Sequence, residues 1–370
     1  MARQLAAKAI RRLLLVSIHV LGAVAFAGAG AGRRSAVRPS EITQQVPAVF
    51  VFGDSTMDVG NNNYLSGENV PRANKPYYGV DYPTSRPTGR FSNGYNVADF
   101  IAKALGFNES PPAYLLLAPR SNSLVVAAVS RGYAGENIPW SKQVRYFEST
   151  KTQVEARLGS RATSKFLSRS LFLFGIGSND LFAYAEGQSG INDVATLYAS
   201  LISNYSAAIT DLYKMGARKF AIINVGPLGC VPVVRLLSGT GGCDDDLNQL
   251  AIGLDDAIKP MVTGLTSRLH GLVYSVGNFY DQAMDNFAHP MAFGFTNTDS
   301  VCCGSGIMGV KDDCLPNSTL CTDCDGYLFW DCVYPSQRAA QLTTTTFYDG
   351  LSRFTTPFNF KQLAAKKMTN

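Results

Sequence analysis

Five short apolar runs constrain the fold of this chain more than any other feature. They occupy residues 48–52, 124–129, 171–174, 220–223 and 272–276. Amphipathic stretches that suit helices separate them, at residues 96–105, 141–158, 196–215 and 247–269. Continuous apolar runs that alternate with helices are typical of parallel strands buried on both faces. The sequence therefore predicts an α/β fold in which helices cover both faces of a mostly parallel, five-stranded sheet.

Small polar side chains follow two of the predicted strands. Ser55 comes just after the first strand, and Asn179 follows the strand at residues 171–174. Parallel sheets bind ligands at the carboxyl ends of their strands, where a serine can act as nucleophile and an asparagine can donate to an oxyanion. A simpler alternative is that Ser55 caps a helix and Asn179 bonds a loop backbone. The G-x-S-x-G nucleophile elbow of α/β-hydrolases is absent.

The amino-terminal segment predicts export from the cell. Four basic residues and no acidic residue lie in residues 1–31, and an apolar run at residues 13–29 is broken only by Ser17 and His19. Small residues at 27–31 fit a cleavage site. We expect a cleaved signal peptide at residues 1–31, with an uncleaved anchor as the alternative. A disordered lead-in at residues 32–46 and a single domain at residues 47–370 would follow.

Charge and composition exclude several kinds of partner. Without the four basic residues of the predicted signal, 29 basic side chains face 28 acidic ones. Nucleic acid binding needs a basic surface, so nucleic acid is not an expected partner. No metal, nucleotide or flavin signature is present, and we expect no cofactor. The mature protein is expected to be secreted, outside the cell or in the cell wall, with no stable membrane span. The oligomeric state stays open.

Cysteine and asparagine patterns agree with export. All eight cysteines lie after residue 229, and an exported chain favours disulfides over free thiols. We expect Cys230 to pair with Cys243, and further pairs to form within residues 302–324. A zinc site at Cys321 and Cys324 lacks the second cysteine pair that it would need. Three N-x-S/T sequons predict glycosylation at Asn108, Asn204 and Asn317.

Residues 52–63, FGDSTMDVGNNN, closely resemble the first block of the plant-type GDSL esterase/lipases of the SGNH hydrolase superfamily. Further stretches resemble the same family in order, at residues 87–94, 177–180, 226–230, 302–304 and 327–331. The resemblance covers essentially all of the predicted mature chain. It implies a three-layer, flavodoxin-like α/β/α sandwich. It also implies hydrolysis of carboxylic esters. The substrate stays open among a lipid, a cutin-like polyester and an acetylated polysaccharide, so it can be a small molecule or a polymer.

The resemblance also implies roles for individual residues. Ser55 matches the nucleophile, and its backbone N–H would be one oxyanion donor. Asn179 matches the side-chain oxyanion donor, and Asp331 matches the acid of the final D-x-x-H. Tyr334 occupies the position of the catalytic histidine, and a neutral phenol is a poor proton acceptor at physiological pH. His270 and His289 are the remaining alternatives as a base.

A second departure from the family lies after the strand predicted at residues 124–129. The family has a glycine-containing block there, and this chain has a shortened segment in which Gly132 or Gly135 could supply the missing oxyanion N–H. A gene-model or splicing error would produce such a segment, and so would a real loss of the site. Three hypotheses follow: an impaired hydrolase, an inactive homologue that binds an ester or a glycan, and a defective gene product.

Overall fold

The computed structural model describes residues 19–23, 44–68, 70–117 and 138–368. The strand predicted at residues 124–129 and the altered block with Gly132 lie outside these ranges. So does most of the predicted signal peptide and lead-in.

The described part of the chain has the predicted α/β architecture. Four of the predicted strands form a parallel array in chain order, and a short antiparallel strand flanks the array at each edge. In sheet order the strands are β1 (His19–Ala23), β2 (Val49–Gly53), β3 (Leu171–Gly175), β4 (Lys219–Ile223), β5 (Val273–Gly277) and β10 (Thr355–Thr356).

Strand β1 lies within the segment that the sequence predicts as a signal peptide. It pairs antiparallel with β2, with Leu21 opposite Val51. An edge strand carries unpaired N–H and C=O groups, and β1 satisfies those of β2. The two residues before position 47 also contact the rest of the domain. The Gln45 N–H donates to the carbonyl of Leu105, and Val46 is buried. The Val46 side chain packs in the core on one face of the sheet.

The predicted helices are confirmed within two residues at each end. Residues 96–105 form a helix at Val97–Ala104, where Asn96 and Asp99 make a reciprocal capping box. The helices are α1 (Val97–Ala104), α2 (Tyr114–Leu117), α3 (Trp140–Leu158), α4 (Ser160–Arg169), α5 (Ser178–Ala185), α6 (Val194–Lys214), α7 (Pro232–Leu237), α8 (Asp245–Arg268), α9 (Phe279–Ala288), α10 (Gln337–Asp349) and α11 (Phe360–Ala365).

Alternate residues of the central strands build a separate core on each face of the sheet. On one face Phe50, Phe172 and Phe220 pack in a cluster of aromatic rings, with centroids 5.1 to 5.7 Å apart. On the other face Val49 and Leu171 pack beside helices α1, α10 and α11. Burial on both faces explains why the strands are apolar throughout rather than at every second residue.

A small region near the carboxyl terminus is held by disulfides. The strands β6 (Asn297–Val301) and β9 (Tyr327–Phe329) pair in parallel, and β7 (Cys303–Gly304) pairs with β8 (Thr319–Leu320). The predicted Cys230–Cys243 disulfide is present, and Cys302–Cys321 and Cys303–Cys314 form within residues 302–324 as expected. Cys324 and Cys332 remain reduced.

The asparagines of all three sequons, Asn108, Asn204 and Asn317, are exposed. Glycosylation needs access to the side chain, and the exposure of these asparagines is compatible with it. Glycosylation at all three sites stays a prediction. None of the helices in the described ranges is both long enough and apolar enough to cross a membrane.

Candidate active site

Ser55 lies immediately beyond the carboxyl end of β2, in a short 3-10 helix at Ser55–Met57. Its side chain is 5% exposed. Asp54 caps this helix by accepting hydrogen bonds from the backbone N–H and the hydroxyl of Thr56, at 3.0 and 2.7 Å. The simpler alternative that Ser55 caps the helix is wrong, because Asp54 is the capping residue and Ser55 is the first residue of the helix.

Two glycines allow this tight turn. Gly53 and Gly175 lie opposite each other in the last register position of β2 and β3. A Cβ atom on Gly53 would lie 2.5 Å from the Cβ of Met57, and one on Gly175 would lie 2.8 Å from the Cε of the same methionine. The Met57 side chain therefore needs glycine in both strands to pack beneath Ser55.

Asn179 lies in the first turn of α5, beyond the carboxyl end of β3. The chain reaches this helix through Gly177, whose φ of 131° is a conformation that favours glycine. The preceding carbonyl, of Ile176, accepts the hydroxyl of Tyr205 at 2.6 Å. These contacts hold the half-buried Asn179 near Ser55, and both residues line one pocket.

Asp255 fixes the next loop of the site. Its Oδ1 accepts the backbone N–H of Val225 at 2.9 Å, just after β4. Its Oδ2 is buried and has no hydrogen-bond partner in the structure. Burial raises the pKa of Asp255 to about 8, so the neutral acid predominates at neutral pH.

Tyr334 is buried, and its hydroxyl is hydrogen-bonded to that of Ser55. Its ring packs on Phe91, with ring centroids 4.7 Å apart. Burial raises the pKa of Tyr334 well above its usual range, although the hydrogen bond with Ser55 opposes this shift. The phenol therefore stays protonated at neutral pH. It can orient the serine hydroxyl, and it is a poor acceptor for its proton.

The Asp331 carboxylate binds the backbone of Tyr334 rather than its side chain. Its Oδ1 accepts the N–H groups of Val333 and Tyr334 at 3.0 and 2.8 Å. Its Oδ2 accepts the hydroxyl of Tyr78 at 2.6 Å. Burial raises the pKa of Asp331 to about 6, against the opposing effect of these hydrogen bonds. The carboxylate thus holds the turn that carries Tyr334.

Neither of the two histidines beyond the predicted signal lies in the pocket beside Ser55. His270 follows α8 and precedes β5, which places it at the amino ends of the strands, across the sheet from Ser55. His289 ends α9, its side chain is 65% exposed, and its Nε2 lies 3.9 Å from Asp285. Both positions fit surface histidines rather than a base for Ser55.

The pocket beside Ser55 is mainly apolar. Ser55, Asn179 and Tyr334 lie on its wall, and the rest of the lining includes Phe182, Val231, Phe287, Leu328 and Phe329. Such a pocket suits the hydrocarbon part of an ester whose carbonyl lies near the serine hydroxyl. The arrangement can bind and orient an acyl group, and within the described residues it offers Ser55 no imidazole.

Tyr78 makes a contact with Asp331 that the sequence does not reveal. It lies 253 positions from Asp331, and an aromatic residue at such a position is more often part of a core. The other neighbours of Tyr78, Phe91 and Trp330, are indeed core rings, with centroids 6.4 and 6.1 Å away. The sequence alone contains no signal for the hydrogen bond between its hydroxyl and Asp331.

The family model and the similar proteins that match this chain carry the same GDSL description. Residues 49–344 match the family described as GDSL-like lipase/acylhydrolase. A GDSL esterase/lipase from Arabidopsis thaliana is 33% identical over 345 residues, which cover 87% of this chain and 92% of the relative. A second from the same plant is 34% identical over 344 residues, and these cover 86% of this chain and 90% of that protein. A third, LTL1, is 33% identical, with 84% and 89% covered.

Proposed function

Because the chain belongs to the GDSL-like lipase/acylhydrolase family, whose members hydrolyse carboxylic esters, we propose that it is a secreted ester hydrolase with impaired turnover. Ser55 is the proposed nucleophile, and its backbone N–H and the Asn179 amide are the proposed oxyanion donors. The observation that carries the proposal is that Ser55, Asn179 and the buried Tyr334 line one mainly apolar pocket. Three disulfides and exposed sequons support export.

The missing base explains why turnover should be slow. A serine hydroxyl becomes an effective nucleophile when a positioned base takes its proton during attack. Tyr334 holds the hydroxyl and cannot accept that proton at neutral pH, and Asp331 is occupied by Tyr78 and the backbone. Loss of a triad base typically lowers kcat by a factor on the order of 10³ to 10⁶. What remains is binding and oxyanion stabilisation.

The test compares the purified full-length secreted protein with Ser55→Ala on p-nitrophenyl acetate and p-nitrophenyl butyrate. We expect weak wild-type turnover above the Ser55→Ala background, rising steadily with pH because hydroxide must replace the base. Equal rates in the two proteins would contradict an ester hydrolase that uses Ser55. Rapid turnover with a plateau near pH 7 would contradict the impairment, since it would require a working base.

A second candidate is a protein that binds an acyl ester without cleaving it. The apolar pocket next to the neutral Tyr334 favours it. In that case wild type and Ser55→Ala are equally inactive, and both bind a butyryl amide that resists cleavage, with equal affinity by calorimetry. A glycan ligand would instead need polar groups around the pocket. The proposal of a defective gene product concerns the segment around Gly132, and resequencing the transcript there tests it.

A further inference from the structure

Three cysteine sulfurs meet in the disulfide-rich region that precedes Asp331. Cys302 lies between β6 and β7, Cys321 follows β8, and Cys324 begins the 3-10 helix at Cys324–Gly326. Cys302 and Cys321 form a disulfide. The Sγ atom of Cys324 lies 3.4 Å from the Sγ of Cys302 and 3.9 Å from that of Cys321. A free thiol is therefore in contact with both sulfurs of an existing bridge.

We propose that Cys302, Cys321 and Cys324 form a thiol–disulfide exchange site, in which Cys324 can replace Cys321 as the partner of Cys302. The Cys324 thiol gives its proton to hydroxide, and the thiolate attacks the Sγ of Cys302. The bond between Cys302 and Cys324 forms as the bond between Cys302 and Cys321 breaks. Cys321 leaves as a thiolate and takes a proton from water. The exchange is an isomerisation and needs no oxidant.

The geometry sets a condition on this step. The Cys324 sulfur is at similar distances from both bridge sulfurs, so it lies beside the disulfide rather than on its axis. Attack on a disulfide proceeds along the sulfur–sulfur axis, and the Cys324 side chain must rotate to reach that line. Cys324 is half-buried at the start of a short 3-10 helix, so its side chain is not fully enclosed by the core.

The surroundings of Cys324 keep the exchange slow at neutral pH. Its thiol is hydrogen-bonded to Asp81, and the carboxylates of Asp323 and Asp325 also face it. Burial, followed by these negative charges, raises the pKa of Cys324 to about 12. The thiolate is the reacting form, so the exchange rate should rise about tenfold for each pH unit below that value.

The exchange moves a covalent link closer along the chain to the turn that carries Asp331 and Tyr334. The Cys302 N–H donates to the carbonyl of Phe329, and the Cys303 N–H donates to that of Trp330, next to Asp331. In the first isomer Cys302 is linked to the β8 side of the region. In the second it is linked to the helical turn that leads directly into β9. The two isomers therefore attach the strand before Asp331 in different ways.

Single-cysteine variants of the full-length secreted protein test the site by non-reducing peptide mapping after acid quench and alkylation. In Cys321→Ser we expect Cys302 to be bonded to Cys324 in a monomer. The matched control is Cys314→Ser. Among the described residues no other cysteine sulfur lies as close to the Cys303–Cys314 bridge, so Cys303 should become a free, alkylated thiol. A free Cys302 in folded Cys321→Ser would overturn the proposal.

Wild-type protein provides a test that does not depend on a variant folding. The sample is held at pH 7 and at pH 9 and quenched with acid at intervals. We expect a peptide linked through Cys302 and Cys324 to appear about 100-fold faster at pH 9. Its absence at both pH values, with Cys302–Cys321 as the sole pairing of Cys302, would contradict the exchange. Ester hydrolysis is not measured, so this outcome is independent of the proposed activity.

Discussion

Replacing Tyr334 by histidine would supply an imidazole beside the hydroxyl of Ser55. General base catalysis typically contributes a factor of about 10² to 10⁴. We expect Tyr334→His to raise kcat for p-nitrophenyl butyrate at least tenfold and to add a pH limb near the imidazole pKa of about 6.5. The rescue should be incomplete, because Asp331 is already bonded to Tyr78 and the family's glycine-containing block is altered.

Tyr334→Phe is the matched control for this substitution. It removes the hydroxyl next to Ser55 and adds no base, so it should leave kcat at or below the wild-type value. An equal gain in Tyr334→Phe and Tyr334→His would mean that relief of the hydrogen bond, rather than proton transfer, limits the rate. His289→Ala should not change activity, because His289 lies outside the pocket.

The raised pKa of the buried Asp255 carboxyl group leads us to expect that the free energy of unfolding depends on pH. Its pKa is raised to about 8 in the folded protein, whereas an exposed aspartate has a pKa near 4. The folded state therefore binds more protons between these values, and the stability that Asp255 contributes is full below about pH 4 and is lost as pH rises through 8. The slope is at most about 1.4 kcal/mol per pH unit.

Denaturant unfolding of wild type and Asp255→Asn at several pH values measures this contribution. The stability of the variant relative to wild type should increase from pH 5 to pH 8. Asp256→Asn is the control, since it makes the same substitution at an exposed neighbouring side chain. A difference between wild type and Asp255→Asn that does not change with pH would show that Asp255 is ionised in the folded protein.

Helix α1 depends on a buried ion pair at its first turn. The Arg90 Nε and Nη2 donate to the two carboxylate oxygens of Asp99 at 2.7 and 2.8 Å, and its Nη1 donates to the carbonyl of Val59. Both side chains are buried. Removing one partner leaves an uncompensated charge, which typically costs about 3–5 kcal/mol. We expect Arg90→Met to lower the free energy of unfolding by that amount in a urea titration.

The double variant Arg90→Met/Asp99→Asn separates lost charge pairing from lost packing. Asparagine keeps an oxygen that can accept the N–H of Asn96 and carries no charge. Part of the stability should therefore return. If the double variant is as unstable as the sum of its single variants, the cost lies in packing rather than in a buried charge.

At the scale of the whole molecule, we predict that the amino-terminal segment at residues 1–31 is cleaved off on export. Expression in a eukaryotic secretory host should give a mature protein that begins near residue 32, and an endoglycosidase should lower its mass if the exposed sequons carry glycans. Cleavage there would also remove β1 from the edge of β2. Amino-terminal sequencing that begins at residue 1, in a membrane-bound product, would support the uncleaved anchor instead.

The pattern of apolar runs was sufficient to predict the α/β class and four described strands, because a parallel strand covered on both faces must be apolar along its length. Helix positions followed from the periodicity of apolar residues. Local family motifs predicted Ser55, Asn179 and Asp331 as site residues. Each of these conclusions depends on residues that are close together in sequence.

The contacts of the site depend on residues that are far apart in sequence. The bond of Tyr78 to Asp331, the packing of Phe91 on Tyr334 and the contact of Cys324 with a disulfide all depend on how separate segments fold together. The sequence alone predicted that Tyr334 stands at the position where the family has its histidine. Burial of that tyrosine, which keeps it protonated beside Ser55, was decided by the tertiary structure, because desolvation disfavours a charge only where the surrounding chain excludes water.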